Sequence, residues 1–291
     1  MESLAGKTAL VTGAASGIGQ AIALACAAQS MRLVIADINA EGLAETAAAL
    51  GDTPHITATL DTRDRAAWAA LFARAEAELG PVQLLCNVAG VTLPLTPALE
   101  ITPEAWQFVL DINLTGTFHG GQLAANRLRE LGLPGHIVNT ASVQGLFAAP
   151  EFAAYTASKF AVVGLSETLR MELADHNIGV SVLCPGAVAT KLFATSAAIA
   201  PQHVPSGGGG KIVSGFSHRQ TPAQVADQVI TAVKANVLYI MTHPEFQPVM
   251  EARFQAMDAS FARNADPAAV ANVLSMEEVP LAIYGAAGGK R

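Results

Sequence analysis

The stretch TALVTGAASGIGQAIALACAAQ, residues 8–29, sets Gly13, Gly17 and Gly19 between a short apolar run and an alanine-rich segment of helical length. Glycine at a strand-to-helix turn lets the backbone approach a pyrophosphate, whose charge meets the N–H groups at the start of the helix. A glycine triplet alone serves any tight turn, but here a second apolar run, RLVIAD, follows and ends on Asp37. A carboxylate at that place can accept hydrogen bonds from both adenosine ribose hydroxyls and repels a 2'-phosphate. Nothing basic compensates: Ile38 and Asn39 come next, and Ser16 stands where an arginine would grip such a phosphate. The pattern reads as a dinucleotide site of Gly13, Ser16, Gly17, Ile18, Gly19, Asp37 and Ile38, with NAD expected over NADP.

Working outward, VQLLCNVAG (82–90), GHIVNTAS (135–142) and GVSVLCPG (179–186) are further short apolar runs ending in turn residues. Helix-length segments such as Pro103 to Leu131 and Tyr155 to His176 lie between them. Continuous apolar runs alternating with helices predict a doubly wound parallel α/β sheet, a Rossmann domain, with strands buried on both faces. One such domain is expected over residues 1–243, with a helical extension over 244–291. Residues 191–220 break the rhythm with APQHVPSGGGGK (200–211), whose prolines and four glycines predict a mobile loop. Because it follows directly on a strand end, it reads as a substrate lid rather than an inert linker. Thr221 and Pro222 then read as the cap and first residue of a helix to about Asn236. VLYIMT (237–242) reads as a last strand, followed by a polar helical stretch from about Glu245 to Arg263 and a glycine-rich tail.

Composition narrows the partners. The chain has 291 residues, 51% hydrophobic and 14% charged, enough apolar surface for a large core. A formal charge of −7 provides no basic stripe for nucleic acid. Cys26, Cys86 and Cys184 are widely separated, so neither a disulfide framework nor a metal spacing is expected, and the compartment reads as reducing. With no basic leader and no run of apolar residues long enough to span a bilayer, the expectation is a cytoplasmic protein that does not enter membranes. The histidines are dispersed, and neither G-x-S-x-G nor H-E-x-x-H occurs, so no metal and no hydrolase chemistry is expected.

YTASK, residues 155–159, places a tyrosine one helical turn before a lysine. A hydride can leave an alcohol carbon only if the hydroxyl proton leaves too, which needs a base. A phenol titrates near 10, but a neighbouring ammonium and a positive nicotinamide ring both favour phenolate, and a fall of about 2 to 3 units is expected.

With the spacing G-x-x-x-G-x-G and Y-x-x-x-K, the chain resembles the short-chain dehydrogenase/reductase family over about residues 6 to 190. The resemblance implies hydride transfer with a tetrad of Asn113, Ser142, Tyr155 and Lys159. Tyr155 would be the general acid/base and Ser142 would donate to the substrate oxygen. Asn113, in DINLTGTF, would hold through its backbone a water that links Lys159 to solvent. Asn87, Ala89 and Gly90 match the family's N-x-A-G turn, with Val88 replacing a more usual second asparagine. Asp61 with Thr62 fits the acidic position that meets the adenine amino group, though Asp61 could also cap the following helix. Pro185, Gly186, Val188 and Thr190 would face the nicotinamide carboxamide. Leu93, Gln144, Phe152, Leu192 and Phe193 are candidate substrate-pocket residues, and their largely apolar character suits a hydrophobic or aromatic secondary alcohol or ketone. The C-terminal extension is loosely similar to that of bacterial members that oxidise benzylic alcohols of lignin-derived aryl ethers. It could instead serve subunit contacts in a homodimer or homotetramer. A non-catalytic NAD-binding regulator, or a reductase of another carbonyl class such as steroid or acyl, is the competing reading.

Overall fold

The apolar runs become the strands of one parallel sheet. A computed structural model of the chain describes residues 1, 3–200 and 219–263. The strands are β1 (Thr8–Thr12), β2 (Arg32–Asp37), β3 (His55–Thr59), β4 (Val82–Asn87), β5 (Gly135–Thr140), β6 (Ile178–Cys184) and β7 (Tyr239–Met241). Their order is β3-β2-β1-β4-β5-β6-β7, every pair parallel. Alternate residues serve two cores: Val11, Ile35, Cys86 and Leu183 face one cluster, and Leu10, Val34, Leu85 and Val180 the other. This is why the inner strands read as unbroken apolar sequence, whereas the edge strand β3, His55–Thr59, is polar and half-exposed and went unread.

Helices cover both faces. The first cluster packs under α1 (Gly17–Ala28), α2 (Ala40–Leu50) and α8 (Pro222–Ala235). The second contains Trp68 and Leu71 of α3 (Arg65–Leu79) with Leu128 of the α4–α5 layer. Helix α8 starts as expected, with Thr221 and Gln224 forming a reciprocal capping box and Pro222 in the first turn. Strand order reverses direction between β1 and β4, and this switch point opens a crevice at the strands' C-terminal ends. Gly13, Asp37 and Ser142 all fall at those ends.

Two segments differ from expectation. Pro103 to Leu131 is α4 (Pro103–Leu110) and α5 (Thr117–Leu131) joined by a π-helical stretch, Asp111–Gly116, which carries Asn113. The expected irregular loop from 191 starts instead with α7 (Leu192–Ile199), because LFATSAAI holds neither proline nor glycine. The APQHVPSGGGGK stretch beyond Ala200 lies outside the described residues, as does the tail after Arg263.

Met1–Thr242 form one compact unit that contains the whole sheet. A second unit begins at His243, with a 3-10 turn at Pro244–Phe246 and helix α9 (Gln247–Arg263) after α6 (Ala153–Glu172), α7 and α8 of the first. Among the described residues no helix is long and apolar enough to cross a membrane, and no group of three His, Cys, Asp or Glu could hold a metal ion. All three cysteines are free and buried.

Candidate active site

The glycine turn is built so that no side chain fits. Gly13 (φ +66) and Gly17 (φ +56) occupy the left-handed region. A Cβ on Gly19 would lie 2.2 Å from the Gly13 carbonyl oxygen, and one on Gly13 would lie 2.9 Å from the Ala89 nitrogen. The turn is thus folded against itself and against the residues after β4. Thr12 secures that contact: its Oγ1 accepts from the N–H groups of Val88 (3.0 Å) and Ala89 (3.2 Å). Ser16 is the N-cap of α1 but makes no side-chain cap bond. Asp37 ends β2 with Oδ2 accepting from Ala15 N–H (3.1 Å) and Oδ1 from Asn39 N–H (2.9 Å), leaving acceptor capacity on both oxygens. Ile38 is exposed beside it. A backbone cradle, the first N–H groups of α1 and this carboxylate fit a dinucleotide.

Further candidates come together around the cradle. A Cβ on Gly17 would lie 3.1 Å from Thr190 Cγ2, so the loop of Pro185, Gly186, Val188 and Thr190 adjoins the glycine turn. Val188 bridges Gln220, which steadies that loop. Asn87 donates to Asn139 Oδ1 (3.0 Å) and to the Thr117 carbonyl (3.2 Å), tying β4 to β5 and α5. Asp61 pairs with Arg63 at 2.6 Å, and this hydrogen-bonded pairing lowers its carboxyl pKa. The cap of α3 is Asp64, which accepts from Ala66 and Ala67 N–H, so Asp61 has no capping role. Thr62 is buried and accepts from Trp68 Nε1 (3.0 Å) through its carbonyl.

The four tetrad candidates also meet. Tyr155 lies in the first turn of α6, and Lys159 Nζ sits 5.5 Å from the centroid of its ring while donating to the Thr140 carbonyl (2.9 Å). Gly90 leaves room for both partners: a Cβ there would be 3.2 Å from Asn113 Oδ1 and 3.5 Å from Lys159 Nζ. The fully buried Asn113 amide bonds both polar groups of Val91, accepting at 2.8 Å and donating at 2.9 Å. It also donates to Ser158 Oγ (3.0 Å), which donates to the Tyr155 carbonyl (2.7 Å). The Asn113 carbonyl accepts from the Thr117 hydroxyl at 2.8 Å. Ser142 Oγ accepts from Gln144 N–H (3.2 Å) and lies 3.3 Å from the Pro185 carbonyl.

The protein's own groups do not acidify the phenol. Burial pushes Tyr155 up to about 12, opposed by the Ser142 hydroxyl, which favours phenolate as a hydrogen-bond donor. Burial likewise pushes Lys159 down to about 8. Desolvation thus outweighs the Ser142 hydrogen bond among the protein's own groups, and the expected fall counts on the positive nicotinamide ring as well. Cys184, at the end of β6, has its thiol pushed up to about 12 by burial, with Lys159 opposing. Thr12, Thr140 and Ser158 went unread in the sequence, although Thr12 and Ser158 stand beside Gly13 and Lys159, and Cys184 was read only as a free thiol.

On the substrate side, the Phe152 ring meets Tyr155 edge-on at 6.3 Å and Phe193 at 6.4 Å. A narrow cleft beside the phenol is lined by Thr92, Leu93, Ile101, Glu151, Phe152 and Tyr155, among others. It brings Leu93 and Phe152 to the phenol, whereas Gln144, Leu192 and Phe193 do not line it. Gln144 turns back to α6, its Oε1 accepting from Thr156 Oγ1 at 3.3 Å. Leu192 and Phe193 open α7.

The chain is similar to known proteins in sequence and fold. The family described as short chain dehydrogenase matches residues 7–201. A D-threitol dehydrogenase of Mycolicibacterium smegmatis is 43% identical over 65% of this chain and 73% of its own length. A short chain dehydrogenase/reductase from Burkholderia phymatum, crystallised in complex with NAD, superposes with a TM-score of 0.83. It is 31% identical, and the match covers 89% of this chain and 97% of that one. The apo form of LigO from Sphingobium sp. strain SYK-6 gives 0.77 at 35% identity, over 92% and 93% of the two chains.

Proposed function

We propose, from the premise that this chain belongs to the short-chain dehydrogenase/reductase family, that it moves a hydride between NAD(H) and a hydrophobic secondary alcohol or ketone. That it is an oxidoreductase of this family follows from its dehydrogenase relatives; cofactor and substrate are our reading. The observation that carries it is the meeting of Ser142, Tyr155 and Lys159 at the strand ends, with Asn113 bonded to Val91 and to Ser158 of α6 around them.

Gly13, Gly17, Gly19 and the start of α1 would hold the pyrophosphate, Asp37 the adenosine ribose, and Pro185 to Thr190 the nicotinamide side. When bound, the nicotinamide supplies the hydride donor or acceptor and, oxidised, a positive charge. With its pKa pushed up to about 12, Tyr155 rests as a phenol and is an acid ready to protonate a developing alkoxide. In the oxidative direction its own proton must first leave, passed on by way of Lys159, so that the phenolate, hydrogen-bonded by Ser142, can take the alcohol proton. Ser142 donates to the substrate oxygen, and that donor is worth most where charge develops. Lys159 holds its ammonium between the ring and the Thr140 carbonyl, placed to exchange the proton onward.

Support for a hydrophobic substrate comes from the Leu93 and Phe152 walls of the cleft and the ring contact to Phe193. The segment 191–220 we assign as a lid and residues 244–291 as the extension, in a cytoplasmic homodimer or homotetramer. Three free buried thiols suit a reducing compartment. The test is NAD reduction with benzylic and alicyclic secondary alcohols, with Tyr155→Phe alongside. The variant should keep NAD affinity and lose at least about a thousandfold in kcat. Equal turnover by both proteins refutes the assignment, and NAD binding without turnover of any alcohol by the unmodified protein favours a regulator.

A further inference from the structure

Helix α7 is held down in an unusual way. Of its eight residues, LFATSAAI, the one buried side chain is Ser196, while Phe193 and Ile199 are 37% and 39% exposed. The burial of a hydroxyl where leucine or isoleucine would be expected is explained by its bonds. Ser196 Oγ accepts from the Thr92 N–H at 3.0 Å, across more than a hundred residues of chain, and donates to the Leu192 carbonyl at 2.6 Å. Thr92 is itself buried and follows Val91, whose two backbone groups are both held by the Asn113 amide. A hydrogen-bonded path therefore runs from Asn113 through the 91–92 strap to Ser196. A path of packed rings returns: Phe193 of the same helix meets Phe152, which meets Tyr155.

We propose that Ser196 is a positioning residue, a latch that fixes α7 over the substrate cleft by seating it on the strap that Asn113 holds. This rests on the hydride-transfer reading for its consequence in turnover, but the docking of α7 stands independently. A hydroxyl suits a latch better than an apolar side chain does. A buried Leu or Ile tolerates sliding along the strap, whereas the Thr92 N–H has one acceptor, and leaving it unmade inside the protein is costly. The helix is thereby fixed in register while its apolar residues stay available to a ligand. Substrates large enough to reach Phe193 gain from the fixed helix, and small ones do not.

The test uses Ser196→Ala and Ser196→Thr in the full-length protein, read by hydrogen exchange and by kinetics. In Ser196→Ala the protection of the Thr92 amide and of the 192–199 amides should fall about tenfold, matching one lost buried hydrogen bond. KM for 1-phenylethanol and bulkier aryl alcohols should rise about tenfold with kcat and NAD affinity within about twofold, while KM for 2-propanol stays put. Ser196→Thr, which retains the oxygen, should restore both readouts. Faster exchange without turnover of any alcohol, in the unmodified protein as well, supports the latch and sinks the hydride-transfer reading. Unchanged exchange in Ser196→Ala overturns the latch, as does a uniform loss of kcat with every alcohol or a failure of Ser196→Thr to rescue.

Discussion

Replacing Gly19 by alanine and, separately, Gly164 by alanine applies one chemical change at two places with opposite expected outcomes. At Gly164, in the exposed middle of α6, a Cβ meets nothing within 4 Å. Alanine there adds helix propensity, about 1 kcal/mol, and should raise Tm by about 2–4 °C. At Gly19 the same atom would sit 2.2 Å from the Gly13 oxygen, 2.6 Å from its carbon and 3.0 Å from the Thr12 oxygen. The Gly13 carbonyl would have to retreat by about 1 Å to restore an ordinary contact. It cannot do so freely, because Gly13 is itself packed against Ala89. Overpacking of this kind costs about 1–3 kcal/mol, so the variant should melt about 2–12 °C lower. The sharper readout is NAD. At about one hundred times Kd, NAD should stabilise the unmodified protein and Gly164→Ala by about 2.7 kcal/mol, and the displaced turn of Gly19→Ala should show almost none of that gain. Thermal melts with and without NAD measure both quantities. If Gly19→Ala gained as much from NAD as the unmodified protein, the glycine turn would not be the phosphate cradle.

Three further outcomes are expected. Asp37→Ala should lower kcat/KM for NAD at least about tenfold and leave NADP unchanged or improved, by the charge argument; a preference for NADP in the unmodified protein would contradict it. Ser142→Ala should cost about a hundredfold or more in kcat, and since Ser142 holds the Tyr155 pKa down, the rise of oxidation rate with pH should move to higher pH; an unmoved profile would remove Ser142 from the proton step. His136 is buried against Ser181 (2.8 Å) and its pKa is pushed down to about 3 by burial, below an unfolded value of 6.5. Its folded pKa being depressed, its contribution to stability is complete above 6.5 and is lost as pH falls toward 3, on the order of 5 kcal/mol in all. Urea midpoints at several pH values should therefore fall less steeply on the acid side in His136→Asn, and identical slopes would acquit this residue.

The sequence by itself determined six of the seven strands, the glycine turn and the candidates for the reacting groups. Those signals are local: apolar runs of strand length, a strand-turn-helix with a carboxylate closing the next strand, and a tyrosine one helical turn before a lysine. Only the tertiary structure decided how they act. It set β4 beside β1, so that Thr12 could pin Val88 and Ala89, and it wound Asn113 into a π-helical stretch facing Val91 and Ser158. It also made α7 a helix fastened by Ser196, and buried the Tyr155 phenol so that desolvation raises its pKa. Each of these depends on what lies across the fold from a residue. Desolvation and long-range hydrogen bonds are properties of the packed interior, and the order of residues along the chain does not contain them.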